Sequence, residues 1–185
     1  MAQFKFDRTP IQDMFEITYF YSQDNRGGFG KIFHQSEFYF SALPDFEIRE
    51  TLIAISQPRV IRGLHFQDPP QAKLVSCIKG KIWDVGVDLR PDSPTYKQWY
   101  GTILSSENHK SLFIPKYFAH GYVSLEDSIV VYQCDEVFEK STDSGINYLD
   151  SDINVKWPVE WDMSESIVSE KDKALPCLKS RGEKL

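Results

Sequence analysis

The sequence has few cysteines, no cluster of positive charge and no long apolar run, and each lack excludes a class of protein. Its 185 residues include three cysteines, Cys77, Cys134 and Cys177, with no close spacing between them. This pattern fits neither a disulfide framework nor a zinc motif and favours a reducing, cytoplasmic location. The net charge is −6, and the sequence contains no local cluster of lysines or arginines. We therefore expect no nucleic-acid-binding surface.

No apolar stretch approaches the roughly 20 residues that a membrane-spanning helix needs. The N-terminal segment MAQFKFDRTP has no apolar core of a signal peptide, so we expect neither export nor a membrane contact. The glycines form neither a dinucleotide fingerprint nor a P-loop, and no G-x-S-x-G nucleophile motif is present. The sequence thus predicts no bound dinucleotide, no ATP and no serine nucleophile.

Aromatic residues and short β-rich segments are abundant instead. Aromatics make up 14% of the chain, and strand-like segments lie at 73–78, 82–90, 111–115, 119–125 and 128–134. Polar turns at this spacing predict one all-β domain over residues 1–185, a sandwich or barrel with a few short helices. The turn at Gly80 predicts a hairpin between the first two segments.

Helical pattern is scarce. Residues 34–43 predict a short helix, although their aromatics also suit a strand, and residues 169–175 predict a second helix with Ser169 as its N-cap. The segment 155–176 is rich in tryptophan and proline, and we expect it to lie over the barrel.

Two of the four histidines have strand-like surroundings. His34 lies among aromatics and His109 in a polar loop, where a packing or solvated position is the simpler interpretation. By contrast, His65 in RGLHF and His120 in FAHGY each lie in an apolar segment beside a glycine.

Two such histidines raise the question of a metal. They form no His-x-His pair and are too few for a typical zinc site, so we predict no metal. Proton abstraction fits better, because an unperturbed histidine has a pKa near 6.5. A carboxylate on the second ring nitrogen would orient such a base, and a nearby lysine or arginine would stabilise an oxyanion.

Several segments together resemble one family. RGLHFQDPPQAKLV (62–75), DLRPDSPT (88–95) and IPKYFAHG (114–121), with DNRGGFGKIF before them and SEKDKALP after them, resemble the dTDP-4-dehydrorhamnose 3,5-epimerase family over nearly the whole chain. The resemblance implies a double-stranded β-helix (cupin, jelly-roll) subunit of a homodimer, with no metal or cofactor. It also implies a nucleotide-linked 4-keto-6-deoxyhexose as substrate.

In that family, the C4 ketone acidifies the hydrogens on C3 and C5, a histidine removes one of them, and a tyrosine on the opposite face returns a proton. By motif, His65 matches the base, Asp172 the carboxylate that orients it, and Lys73 the lysine beside the C4 oxygen. Arg62 and His120 match substrate and phosphate contacts. The other positions predicted to bind substrate are Arg26, Phe29, Lys31, Glu50, Gln67 and Phe138.

The chain departs from the family pattern after the second histidine strand. In YQCDEVFEK, Phe138 and Val137 stand where the family usually has tyrosines. Phenylalanine has no ionisable hydroxyl, so this alignment leaves the return of the proton without its usual donor.

A second departure concerns the nucleotide. The segment RGGFGK has Lys31 or Gly30 where the family has a glutamate, and Glu50 replaces a glutamine. A Lys31/Glu50 pair would suit cytosine better than thymine. Two alternatives therefore stay open: a single-centre C5 epimerase of a CDP-linked 4-keto-3,6-dideoxyhexose (ascarylose type), and a catalytically inactive jelly roll that binds a sugar nucleotide.

Overall fold

The structure, a computed structural model, describes residues 3–181, in which fourteen strands form two packed sheets and a separate hairpin. The first sheet has the order β1-β2-β10-β7-β12-β5 and the second the order β13-β6-β11-β8-β9, with β14 added parallel to β6. The two sheets confirm the all-β, jelly-roll prediction. The extent of the domain over residues 1–185 stays a prediction.

The strands of the first sheet are β1 (Lys5–Arg8), β2 (Phe15–Thr18), β5 (Glu50–Ser56), β7 (Lys73–Lys79), β10 (Lys110–Ile114) and β12 (Ser128–Cys134). Those of the second are β6 (Val60–Phe66), β8 (Lys81–Asp88), β9 (Trp99–Ser105), β11 (Phe118–Ser124), β13 (Ser144–Gly145) and β14 (Ile167–Val168). The hairpin consists of β3 (Phe20–Asp24) and β4 (Gly27–Lys31).

Side-chain alternation along the strands builds the core between the sheets. Val75 and Cys77 of β7 pack with Ile82 of β8 and Tyr122 of β11 in one buried cluster. Because successive strand residues point to opposite faces, Leu74 belongs to a different cluster outside the first sheet.

The C-terminal segment covers the outer face of the second sheet, as expected. Trp157 and Trp161 pack against a buried cluster that contains Ile61, Val85 and Val123. This packing holds the segment 155–176 against the barrel and brings Asp172 close to β6.

The helices are short. They are α1 (Gln35–Ser41), α2 (Glu170–Lys173) and α3 (Leu178–Arg181), with a 3₁₀ turn at Met163–Glu165. Both helix predictions are confirmed, as is Ser169 as the N-cap of α2, and His34 serves as the N-cap of α1. None of the helices within residues 3–181 is long and apolar enough to cross a membrane.

The predicted hairpin at Gly80 is wrong. β7 pairs with β10 and β12, whereas β8 pairs with β9 and β11 in the other sheet. Gly80 has a φ of +70°, and a Cβ there would lie 2.2 Å from the carbonyl oxygen of Asp127. The glycine therefore turns the chain from one sheet into the other beside a close backbone contact.

Candidate active site

Two glycines let β6 and β11 approach closely. A Cβ on Gly63 would lie 2.6 Å from the Cα of Gly121, and a Cβ on Gly121 would lie 2.7 Å from the carbonyl oxygen of Arg62. Gly63 also has a φ of +119°, which other residues rarely adopt. The two strands pair with His65 directly opposite His120, so both imidazoles belong to one cross-strand pair.

His65 is hydrogen-bonded to a buried carboxylate. Its Nε2 lies 2.8 Å from Oδ1 of Asp172, and the backbone N–H of Gly63 donates to Oδ2 of the same carboxylate at 3.1 Å. Ser169 accepts a bond from the backbone N–H of Asp172 and fixes α2 in this position. Because an ionised carboxylate only accepts hydrogen bonds, Nε2 carries the hydrogen and Nδ1 is the proton acceptor. The His65 side chain is 28% exposed, so a substrate can reach it.

The charge of Asp172 is stabilised by its partners. Burial alone would raise its pKa, but the hydrogen bond and charge of His65, with the bonds from Gly63 and Ser169, hold the pKa below its ordinary value. The predicted base and its orienting carboxylate are therefore brought together, with the carboxylate in the ionised form at neutral pH.

His120 has a second buried carboxylate as its partner. Its Nε2 lies 2.7 Å from Oδ1 of Asp84, a residue with no exposed surface. Oδ2 of Asp84 is buried and has no hydrogen-bond partner among residues 3–181. Burial lowers the pKa of His120. The opposing effect of Asp84 is smaller, so the net shift is downward. The site therefore contains two histidine–aspartate pairs side by side.

Lys73 is an unpaired lysine that is largely removed from water. It is half-buried at the start of β7, and its Nζ has no hydrogen bond or ion pair within the described part of the chain. Removal from water lowers its pKa, while Cys134, Asp143 and Asp84 oppose that shift. Burial raises the pKa of the Cys134 thiol to about 12, so the two carboxylates supply the opposing charge. An unpaired ammonium in such surroundings is suited to bind an oxyanion.

Tyr132 is the residue that sequence reasoning missed. It lies on β12 in the first sheet, and its ring meets that of His120 edge to face at 5.7 Å. Burial, with Tyr122 and Asp84 nearby, raises its pKa well above 10, and Arg62 opposes the shift. The phenol is therefore protonated at neutral pH. Alternation along β12 puts Tyr132 on the same face as Cys134, the cross-strand neighbour of Lys73, and this signal could have found it.

Arg62 keeps donors available for a ligand. Its Nε donates to Ser56 Oγ at 3.2 Å and one terminal nitrogen donates to the carbonyl oxygen of Ile55 at 3.3 Å. Ser56 is in turn bonded to the Tyr122 hydroxyl at 2.8 Å. A guanidinium has five N–H donors, so most of them remain for an anion.

Gln67 and Glu50 hold the loop that follows β12. The Gln67 amide donates to the carbonyl oxygen of Val137 at 2.9 Å and accepts from the N–H of Glu139 at 3.2 Å. Glu50 accepts from the N–H of Phe138 at 2.6 Å. Phe138 itself is 42% exposed, outside the buried core. These contacts fix the loop, and the predicted substrate contacts of the three residues stay predictions.

Three of the predicted residues lie at the other end of the barrel. Lys31 is bonded to Gln3, Arg26 pairs with Asp24, and Phe29 is 64% exposed on the hairpin.

The position of the hairpin follows from strand register. It leaves the first sheet after Thr18, which pairs with Lys110, whereas Lys73 pairs with Ile114 at the opposite end of β10. The structure therefore does not bring Lys31 and Glu50 together, and they form no ion pair with each other among residues 3–181.

The DLRPDSPT segment builds a wall of the site. The buried Asp88 carboxylate accepts bonds from Arg90, from Ser93 at 2.5 Å and from Thr95 at 2.7 Å. These bonds fold residues 88–95 into a fixed loop at the barrel end.

A cavity of about 940 Å³ opens at that end. Its lining includes Phe66, Lys73, Arg90, Tyr117, Phe118 and Asp143. His65 and His120 lie outside this lining, on β6 and β11 of the second sheet. Asp143 is also paired with Lys171 of α2, the helix that carries Asp172.

These features define a cupin-type jelly roll with a site suited to acid–base chemistry. The interior combines a histidine paired with a carboxylate, an unpaired lysine and a protonated phenol. Within residues 3–181, no three histidine, cysteine or acidic side chains are grouped to hold a metal ion. The absence of a metal from the protein stays a prediction.

Comparisons with known proteins place the chain in a family. Residues 8–180 match the family model described as dTDP-4-dehydrorhamnose 3,5-epimerase. The enzyme of that name from Methanothermobacter thermautotrophicus is 42% identical over 177 residues, which cover 94% of each chain. The chain belongs to the dTDP-4-dehydrorhamnose 3,5-epimerase family, and it is an epimerase, a member of the isomerases.

Solved structures agree. A dTDP-6-deoxy-D-glucose-3,5-epimerase from Legionella pneumophila, in complex with dTDP-4-keto-L-rhamnose, has a TM-score of 0.90 at 33% identity, covering 95% of this chain and 93% of that one. A dTDP-4-dehydrorhamnose 3,5-epimerase from Bacillus anthracis, with TDP and pyrophosphate bound, has a TM-score of 0.85 at 38% identity, covering 95% and 99%. The predicted family and fold are confirmed.

Asp172→Asn is expected to lower the free energy of unfolding at neutral pH by about 1–3 kcal/mol, because the amide lacks the charge that His65 and Gly63 stabilise. The folded-state pKa of Asp172 lies below the ordinary value of 3.8. The difference in free energy of unfolding between the wild type and Asp172→Asn is therefore largest above that value. It is lost as the pH falls through the lower folded-state pKa. Urea unfolding at a series of pH values measures it.

Asp45→Asn is the matched control for this measurement, because Asp45 is exposed and has no hydrogen bond or ion pair in the described part of the chain. We expect its effect to stay within about 0.5 kcal/mol at every pH. A deficit of Asp172→Asn that is equally large in acid and at neutral pH would contradict the assignment.

Proposed function

We propose that this protein epimerises a dTDP-linked 4-keto-6-deoxyhexose without a cofactor, using His65 to remove a proton next to the C4 ketone. One observation carries the proposal: a histidine held 2.8 Å from a buried carboxylate shares the barrel interior with an unpaired, desolvated lysine. The dTDP-sugar complex of the Legionella relative supports the substrate class.

The first step is proton removal. His65 Nδ1 removes a proton from C3 or C5. The electron pair of the broken C–H bond forms a double bond to C4, and the C4 carbonyl electrons move onto the ketone oxygen. Lys73 stabilises the resulting enolate, and Asp172 stabilises the imidazolium. The substrate diphosphate is the ligand that the remaining donors of Arg62 fit.

The second step returns a proton from the opposite face. Tyr132 is the candidate donor, because it belongs to the sheet opposite His65 and its phenol is protonated at neutral pH. The phenylalanine at position 138 then does not remove the acid from the site. Inversion at both C3 and C5 is therefore the function that this geometry supports best.

The nucleotide alternative has less support. The carboxylate of Glu50 accepts from the Phe138 N–H, and Lys31 is bonded to Gln3. The two residues therefore do not form the Lys31/Glu50 pair that was expected to recognise cytosine. A catalytically inactive binder would have no chemical need for the His65–Asp172 pair beside Lys73.

We infer that the protein acts as a homodimer. Arg26, Phe29 and Lys31 lie on the hairpin, beyond the end of β10 opposite Lys73, so they reach a substrate only in the site of another copy. The edge strand β5 also exposes Ile53 and Ile55, 66% and 73% exposed, to a neighbour.

Deuterium incorporation at C3 and C5 of dTDP-4-keto-6-deoxyglucose in deuterated water, followed by NMR, tests the reaction. We expect exchange at both carbons, and a loss of at least about 10³-fold in His65→Ala because this variant removes the proposed base. The CDP-linked sugar is the parallel substrate, with slower exchange expected. Absence of exchange on both sugars would support the alternative of a catalytically inactive binding protein. Faster exchange on the CDP-linked sugar would favour the alternative of a cytosine-specific enzyme.

Tyr132→Phe separates the two steps. It should lower the rate of inversion by about 10²–10⁴-fold, because it removes the donor while leaving the base in place. Slow solvent exchange with retention should survive, since His65 can return the proton that it removed. Phe138→Tyr is the matched variant, and we expect a change of less than about threefold. The assignment of Tyr132 is wrong if Tyr132→Phe inverts normally.

Complementation tests the shared site. A chain with His65→Ala and a chain with Phe29→Ala and Lys31→Ala should each have little activity. Subunits mixed after unfolding and refolded should recover about a quarter of the wild-type rate, because half of the dimers then carry one intact site. No recovery, with dimers confirmed by light scattering, would place the hairpin outside the partner's site.

A further inference from the structure

Tyr117 has a backbone conformation that its side chain disfavours. It lies in the turn between β10 and β11 with a φ of +65°, a left-handed conformation that bulky residues rarely adopt. Among the residues other than glycine that share this conformation, three are of types that tolerate it: Asp13, His109 and Asn154. The strain at Tyr117 therefore needs a reason of its own.

The remaining two residues of this kind have partners for their side chains. Arg59 is paired with Glu165, and Lys97 lies over the ring of Tyr96 at 5.2 Å. The Tyr117 side chain is 61% exposed, belongs to none of the buried clusters and forms no hydrogen bond with any other residue of 3–181. Strain that the packing of the described residues does not explain indicates a contact made in function.

The turn that carries Tyr117 is held from both sides. Nζ of Lys116 lies 3.2 Å from Oδ2 of Asp135, a carboxylate that is almost fully buried. On the other side, the N–H of Leu89 donates to the carbonyl oxygen of Tyr117 at 3.2 Å. The turn therefore keeps the Tyr117 ring in the lining of the cavity of about 940 Å³, which it shares with Lys73.

The cavity has a polar side and an apolar side. Residues 141–144 are all polar and adjoin β13 at one edge of the second sheet. Farther along the same sheet, at the ends of β8 and β11, lies an apolar group of lining residues: Leu89, Pro91, Tyr117 and Phe118. The charged residue beside this group, Arg90, is already paired with Asp88 and Asp13.

A 4-keto-6-deoxyhexose has two corresponding sides. With the C4 oxygen at Lys73, C3 and its hydroxyl lie on one side of the ketone, and C5 with its methyl group, C6, lies on the other. A hydroxyl needs polar partners, whereas a methyl group gains free energy when it leaves water. The sugar therefore matches the cavity when its methyl group is on the apolar side.

We propose that Tyr117 is a specificity-determining residue whose ring contacts the C6 methyl group of the sugar. The inference rests on the proposed function and deepens it. The contact makes the site selective for 6-deoxy sugars over sugars with a C6 hydroxyl, because that hydroxyl would lie against the ring without a hydrogen-bond partner.

Binding of dTDP-6-deoxyglucose and of dTDP-glucose, measured by isothermal titration calorimetry, tests the contact. The two ligands differ only at C6, and neither has the ketone that starts the reaction. We expect the wild type to bind the 6-deoxy ligand at least about fivefold more tightly. Tyr117→Gly should reduce this preference to within about twofold, mainly through weaker binding of the 6-deoxy ligand. Tyr117→Phe should keep the preference because the ring remains.

The nucleotide alone and a second glycine variant are the controls. The Kd of dTDP should change by less than about twofold in every variant, since the contact is with the sugar. Lys97 also has a φ of +65° and lies outside the cavity lining, so Lys97→Gly should leave the sugar preference unchanged. Glycine adopts this conformation without strain, so Tyr117→Gly and Lys97→Gly should each keep the wild-type Tm or raise it by up to about 4 °C.

Equal binding of the two sugars by the wild type, a preference that survives Tyr117→Gly, or a preference lost in Tyr117→Phe would overturn the inference. So would a parallel loss of dTDP affinity in Tyr117→Gly, which would place the ring at the nucleotide. A fall in Tm that Tyr117→Gly shows and Lys97→Gly does not would make the role of the ring structural and overturn the inference as well. The proposed function survives each of these results, because it depends on deuterium exchange that requires His65.

Discussion

The close approach of β6 and β11 at Gly63 and Gly121 is the constraint on which the site depends. A Cβ at either position would meet backbone atoms within 2.7 Å, so the strands would have to separate. Separation would break the register that pairs His65 with His120 and would move the Gly63 N–H away from Asp172. Two glycines with no chemistry of their own thereby determine where both imidazoles lie.

The electrostatic character of the interior follows from the same packing. Taking a lysine out of water disfavours its charge, and the carboxylates of Asp84 and Asp143 act in the other direction. Neither carboxylate forms an ion pair with Lys73, so the ammonium is not neutralised by a direct contact. Charges in a low-dielectric interior interact more strongly than in water. An anion formed next to Lys73 would offset the cost of its desolvation, and the proposed enolate would be such an anion.

Local pattern predicted much of this, and non-local contacts account for the rest. The β-rich segments between polar turns predicted the strands in the middle of the chain. The motif segments indicated the His65–Asp172 pair, in which Nε2 and Oδ1 lie 2.8 Å apart. The hairpin prediction at Gly80 was wrong because a glycine at positive φ is compatible both with a hairpin turn and with a connection between two sheets. Tyr132 was missed because its importance depends on which strand faces β6 across the core, and no single segment contains that information.

The departure at Phe138 has a different meaning once the strand faces are known. Position 138 lies in the loop beyond β12, held by Gln67 and Glu50, and its ring is partly exposed. Position 132 lies within the strand and faces the core. The groups proposed for proton transfer belong instead to β6, β7 and β12. Strand register rather than loop sequence holds these groups, so the residue at position 138 can change without displacing them.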